Sequence, residues 1–140
     1  MSAFENRVSF VTGAGSGIGE AMALKLAAEG STIVCSDINE QGAQATAARV
    51  EELGAKAVVS ALDTANEEAV KEALTKTTRD LGRLDVLMNN AGVGGKNWET
   101  TTAINLDGVY YGLIHACPIM AGLGGGAIVN TASVAGLGAL

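Results

Sequence analysis

Five short runs rich in β-branched and small apolar residues, Val8 to Val11, Thr32 to Cys35, Ala57 to Ser60, Val86 to Met88 and Ala127 to Asn130, are separated by longer, alanine-rich segments. That alternation is what a parallel sheet requires, because parallel neighbours can be joined only through a crossover long enough to hold a helix. Right-handed crossovers then place helices on both faces. The expected fold class is α/β, a doubly wound parallel sheet of the Rossmann type with five strands visible. The nearly uniform apolar character of the runs predicts strands covered on both faces.

The intervening segments carry helix signals. In Ile18 to Glu29, the residues Ile18, Met22 and Leu26 recur every fourth position and are expected to face one side. Glu40 to Leu53 and Glu67 to Leu81 each end at a glycine, Gly54 and Gly82, suited to a left-handed cap. Trp98 to Met120 is the last helical segment, with Pro118 expected to disturb its final turn and Gly108 and Gly112 to weaken its middle. The glycine-rich Gly122 to Gly126 reads as the turn into the fifth strand, and Asp85 as the opening of the fourth.

Directly after the first run comes Thr12-Gly-Ala-Gly-Ser-Gly-Ile-Gly19, with a helix beginning inside it. A side chain at Gly13 or Gly17 would obstruct a pyrophosphate, Gly19 permits close packing of helix on strand, and the helix N-terminus offers N–H groups to the anion. A glycine turn alone could be a tight connection; between a strand and a helix near the start of a βαβ unit it points to dinucleotide binding. Asp37 follows Gly19 by 18 residues, at the end of the second strand, where a carboxylate would accept both hydroxyls of an adenosine ribose and repel a 2′-phosphate. Neither Ser16 nor Ile38 supplies the positive charge that NADP would need. NAD is therefore the expected cofactor. Asp37 could also cap the helix near Glu40, and the two roles are compatible.

Length and charge narrow the partners. The chain has 140 residues, 48% hydrophobic and 17% charged, enough for one core and too few for two ordinary domains. A single dinucleotide-binding domain over residues 1 to 140 is expected. A formal net charge of -6 gives no general attraction to nucleic acid or anionic lipid, and no secretory or membrane-spanning pattern opens the chain, so neither partner is expected and the compartment read is cytoplasmic. Cys35 and Cys117 lie far apart in apolar stretches and read as buried thiols; no metal site is expected.

The spacing Thr-Gly-x-x-x-Gly-x-Gly resembles that of the short-chain dehydrogenase/reductase family rather than the Gly-x-Gly-x-x-Gly of longer-chain dehydrogenases, and four further stretches agree in order. Leu62-Asp63 resembles the family's adenine-contacting acid, and Asn89-Asn90-Ala91-Gly92 its Asn-Asn-Ala-Gly signature. Asn105, in Ile104-Asn105-Leu106, matches the asparagine that helps order a relay water. Ser133, ending Ile128-Val129-Asn130-Thr131-Ala132-Ser133, looks like the catalytic serine. The resemblance implies catalytic roles for Ser133 and Asn105, and cofactor contacts from Gly13, Ser16, Gly17, Ile18, Gly19, Asp37, Ile38, Asp63, Asn90, Ala91 and Gly92. It further implies hydride transfer between NAD(H) and a secondary alcohol or ketone, in a homo-oligomer. Each position also has a plainer explanation: Asp63 could cap the helix near Glu67, Asn90 could tie neighbouring loops, and Ser133 could be a strand-end hydroxyl. His115, the only histidine, is expected to be packed or at the surface.

Two features depart from the family. Its Tyr-x-x-x-Lys motif should follow Ser133 by about 13 residues, past Leu140, so the resemblance implies a C-terminally incomplete domain that is inactive by itself or a nucleotide-binding module without catalysis. The connection from Gly92 to Trp98 is shorter than the family's by roughly ten residues. Tyr111 and His115 mimic the spacing of the missing pair but precede Ser133 on a different element, and are expected to be packing residues.

Overall fold

A computed structural model describes residues 2 to 138. Five strands, β1 (Val8–Thr12), β2 (Thr32–Asp37), β3 (Ala57–Ala61), β4 (Val86–Asn89) and β5 (Ala127–Asn130), form one sheet in the order β3-β2-β1-β4-β5. All four pairings are parallel, with Phe10 of β1 opposite both Val34 of β2 and Leu87 of β4. The order reverses at β1, so the carboxyl ends of β1 and β4 diverge there and leave a crevice above the sheet.

Two cores sit on opposite faces. One packs Phe10, Val34 and Leu87 against Val70 and Leu74 of α3 (Glu67–Leu81) and Ala116 and Met120 of α5 (Gly108–Gly122). The other packs Val11, Ile33 and Cys35 against Ala23, Leu26 and Ala27 of α1 (Gly17–Ala28) and Ala43, Ala47 and Val50 of α2 (Glu40–Glu52). Strand residues alternate between them with period two, which is why near-uniform apolar runs are needed in the centre. The edges are different: β3 is only half-buried and β5 is largely exposed, so the expectation of two covered faces holds for β1, β2 and most of β4 alone.

The α1 stripe also differs from expectation. Ile18 is 61% exposed, and the buried face is Gly19, Ala23, Leu26 and Ala27. Small residues bring the helix close to the sheet, and the larger side chains at 18 and 22 are displaced to its flank. Cys117 likewise is exposed rather than buried, because the buried positions of α5 are Gly108, Gly112, Ala116 and Met120, one every fourth residue. Cys35 is buried, and loss of hydration pushes its thiol pKa up to about 11.

The last helical segment runs on without a break but not as one regular helix. A short α4 (Trp98–Thr102) passes through a π-helical stretch, Ala103–Asp107, into α5. Pro118 lies inside α5 at an exposed position, and the helix continues to Gly122. The glycine turn that follows needs its glycines: Gly124 and Gly125 have φ of 93° and 134°, and a Cβ on Gly126 would lie 2.6 Å from the Met120 sulfur. Gly54 and Gly82 adopt left-handed φ at the ends of α2 and α3. No described helix is long and apolar enough to cross a membrane.

Candidate functional site

The crevice above the carboxyl ends of β1, β2, β3 and β4 is a cavity of about 400 Å³. Its walls include Gly13, Ser16, Gly17, Ile18, Asp37, Ile38, Asp63, Asn90, Ala91 and Gly92, ten residues expected from the sequence to touch cofactor. Gly19 lies behind the wall. A Cβ there would sit 2.0 Å from the Gly13 carbonyl oxygen, so the absence of a side chain is what lets α1 start against the turn. Gly13, with φ of 65°, has Asn90 Nδ2 and Ala91 Cα at 3.0 and 3.1 Å from its would-be Cβ. Gly17 has φ of 53° and no heavy atom within 4 Å of that position; a side chain there would occupy the cavity instead.

Ser16 is the N-cap of α1, yet its hydroxyl makes no capping bond. The first-turn N–H groups of this 12-residue helix therefore have no side-chain acceptor among the described residues, beside a cavity lined by Ser16, Gly17 and Ile18, an arrangement suited to an anion. At the β2 end, Asp37 is held by two backbone donors: Gly15 N–H to Oδ2 at 2.8 Å and Asn39 N–H to Oδ1 at 2.9 Å. Both carboxylate oxygens are thus fixed in direction while retaining lone pairs for further donors. The cap of α2 is Asn39, whose Oδ1 accepts from Gly42 N–H, rather than Asp37. Asn66 does the same for α3, leaving Asp63 exposed at the rim with only an Ala65 N–H at 2.9 Å. The floor between these two acids contains Ser36, whose buried Oγ has no hydrogen-bond partner among the described residues.

The β4 end is organised by Thr12, a residue that the sequence motif contains but whose task it does not reveal. Its hydroxyl accepts from Asn90 N–H (3.0 Å) and Ala91 N–H (2.9 Å) and donates to the Met88 carbonyl (3.3 Å). Asn90 Nδ2 donates to the Thr12 carbonyl at 3.2 Å, and Thr131 beyond β5 donates its hydroxyl proton to Asn90 Oδ1 at 2.9 Å. Asn90 therefore ties three strand ends together. Asn89, buried one residue earlier, donates to Val109 O of α5 (3.2 Å) and to Asn130 Oδ1 (3.1 Å). Gly112 lies against it: a Cβ there would be 2.4 Å from Asn89 Oδ1 and would displace the amide from its two acceptors.

Asn105 lies in the π-helical stretch and is paired with one residue of the short connection: Val93 N–H donates to Oδ1 and Nδ2 donates to the Val93 carbonyl, both at 2.8 Å. This two-point pairing holds the Gly92-Val93 backbone at the cavity edge, where Val93 and Ile104 join the lining. Ser133 is exposed two residues past Thr131; its Oγ accepts from Ala135 N–H at 3.1 Å and caps the turn Val134–Gly136. It is outside the cavity wall. His115 of α5 has its Nε2 3.1 Å from Glu67 Oε1 of α3, and Tyr111 packs on the adjacent core. That pair belongs to the α3–α5 interface and not to the cavity.

Comparison with known proteins agrees with this fold. The family model for short chain dehydrogenase matches residues 7–140. Cyclohexanol dehydrogenase of Acinetobacter sp. (strain SE19) is 40% identical over 144 residues, covering 96% of this chain and 57% of the relative. Levodione reductase of Leifsonia aquatica is 38% identical over 96% of the chain and 55% of its own length. Among solved structures, that of NAD+-bound xylitol dehydrogenase superposes with a TM-score of 0.95 at 36% identity, over 99% of this chain and 57% of that one. The chain spans a little over half the length of the relatives it matches.

Proposed function

This chain belongs to the short chain dehydrogenase family, and from that premise we propose that residues 1 to 140 are the dinucleotide-binding domain of an oxidoreductase that exchanges hydride between NAD(H) and a secondary alcohol or ketone. The observation that carries the cofactor assignment is Asp37, a carboxylate aimed by two backbone donors at the end of a glycine-lined cavity. The residues fit the group: Gly13, Gly17 and the α1 N-terminus would take the pyrophosphate, Asp37 the adenosine ribose, and Asp63 with Ile38 the adenine. NAD supplies a hydride acceptor or donor at its nicotinamide when bound.

This chain's own residues then have the following work. Asn90, fixed by Thr12 and Thr131, holds the β4 end of the cavity wall in place. Ser133 would donate its hydroxyl to the substrate oxygen, and Asn105 would hold the loop edge and a relay water near it. Neither group titrates near neutral pH, so the proton that must accompany hydride arrival comes from elsewhere. No Tyr-x-x-x-Lys follows Ser133 within the 140 residues. A small-molecule alcohol or ketone is the substrate class, and a homo-oligomer the expected assembly. The test is NAD-linked turnover of a panel of secondary alcohols and ketones. General acid-base help is worth about 10²- to 10⁴-fold, so the 140 residues alone should turn over at least about 100-fold more slowly than a full-length relative such as levodione reductase. Equal turnover would overturn the assigned roles.

A further inference from the structure

Behind the cavity, on α2, Thr46 is fully buried and outside the lining, yet its Oγ1 donates to the carbonyl of Ala14 at 2.8 Å. Ala14 N–H is itself bound to the Ser36 carbonyl at 2.9 Å, and the next N–H, of Gly15, to Asp37. The turn is thus anchored to β2 through its N–H groups and to α2 through one carbonyl. One helical turn before Thr46, Gly42 faces the same place: a Cβ on it would lie 2.9 Å from the Gly15 oxygen and 3.2 Å from the Gly15 Cα. A second acceptor competes for the single Thr46 proton, since Glu20 Oε2 of α1 is 3.2 Å away. Glu20 is ion-paired with Arg49, one turn further along α2, and the Ala14 carbonyl is the nearer of the two acceptors.

We propose that the Gly42–Thr46 face of α2 is a clamp that sets the glycine turn in its cofactor-receiving conformation, with Thr46 the positioning residue. The proposal rests on the dinucleotide reading above. Four glycines in seven residues, Gly13 to Gly19, give the free turn many conformations, and only the fraction with the right shape binds. Apparent affinity scales with that fraction. Thr46 acts on it without touching the ligand.

The test is NADH titration by fluorescence, paired with amide exchange of the ligand-free chain. Thr46→Val keeps the volume and removes the donor; it should raise the NADH dissociation constant about tenfold and speed exchange at Ala14 and Gly15. Thr46→Ser should restore both. Thr77→Val removes another buried hydroxyl, bound to Ala73 O of its own helix α3 and remote from the glycine turn, and should leave both affinity and exchange at Gly15 unchanged. Should Thr46→Val fail to fold, Gly42→Ala carries the test, because alanine favours the helix while its methyl displaces Gly15; it too should weaken NADH binding. Wild-type affinity and wild-type exchange at Gly15 in Thr46→Val overturn the clamp. A wild-type chain that binds no NADH overturns the functional reading, and exchange at Gly15 then decides the clamp by itself.

Discussion

Thr12 and Asn90 are joined twice, once through the Thr12 hydroxyl and the Asn90 N–H at 3.0 Å and once through Asn90 Nδ2 and the Thr12 carbonyl at 3.2 Å. The same hydroxyl also takes Ala91 N–H, so one side chain satisfies two successive backbone donors where β4 leaves the sheet. Thr12→Val leaves both N–H groups without their acceptor. Both donors are half-buried beside the cavity, where a hydrogen bond is worth about 0.5–1.5 kcal/mol, and a loss of about 1–3 kcal/mol is expected in urea melts, with Thr12→Ser close to wild type. A Thr12→Val chain as stable as wild type would mean that the Asn90-Ala91 backbone finds other partners.

The two glycines at the start of α1 should respond differently to alanine. At Gly19 the new Cβ meets the Gly13 carbonyl at 2.0 Å, a backbone clash that neither element can relieve, so Gly19→Ala should cost about 3 kcal/mol or more or abolish folding. At Gly17 space is open and only the left-handed φ of 53° opposes the change, so Gly17→Ala should cost about 1–2 kcal/mol while impairing cofactor binding. Thermal melts of the two variants check the order; equal losses would contradict it.

Asp85 closes the opposite end of the sheet. It accepts two hydrogen bonds from Arg83 (2.7 and 2.8 Å), one from Val8 N–H (2.8 Å) and one from Arg7 (3.2 Å). Burial raises its pKa, but these donors outweigh burial and hold it below the usual carboxylate range. A depressed folded-state pKa contributes stability that is present above the unfolded value, about 3.9, and is lost as pH falls through the lower folded value. Asp85→Asn should therefore cost about 1–2 kcal/mol at neutral pH, limited by solvent screening of the half-exposed arginines. It should cost progressively less below about pH 4. Melting temperatures of both proteins across pH 3 to 7 test this, and a constant difference would show that the charge is not responsible.

Much of the architecture was legible because its signals are local. The β-branched runs placed each strand to within two residues, and the left-handed glycines marked where α2 and α3 stop. The helix starts at Glu40 and Glu67 were legible too, but not their caps: Asp37 and Asp63 were alternatives for that task because any small acid can cap, and only the backbone path shows that Asn39 and Asn66 do so. The π-helical stretch around Asn105 had no signature, since neither a residue type nor a spacing in Ala103–Asp107 distinguishes an i→i+5 turn from an α-helical one. Thr46 was invisible for another reason. Its partner Ala14 is 32 residues away, and nothing in the pattern of an alanine-rich helix says which residue of its buried face meets a loop carbonyl.

If Asp37 makes this cavity a site for NAD rather than NADP, fluorescence titration of NADH and NADPH into the wild-type chain and Asp37→Ala will show it. Wild type should bind NADH at least about tenfold more tightly than NADPH, since a 2′-phosphate would meet a fixed carboxylate with no Arg or Lys in the cavity wall among the described residues. Asp37→Ala should weaken NADH binding and bring the two affinities together. Equal or tighter NADPH binding by the wild type, or discrimination that survives in Asp37→Ala, would contradict the claim.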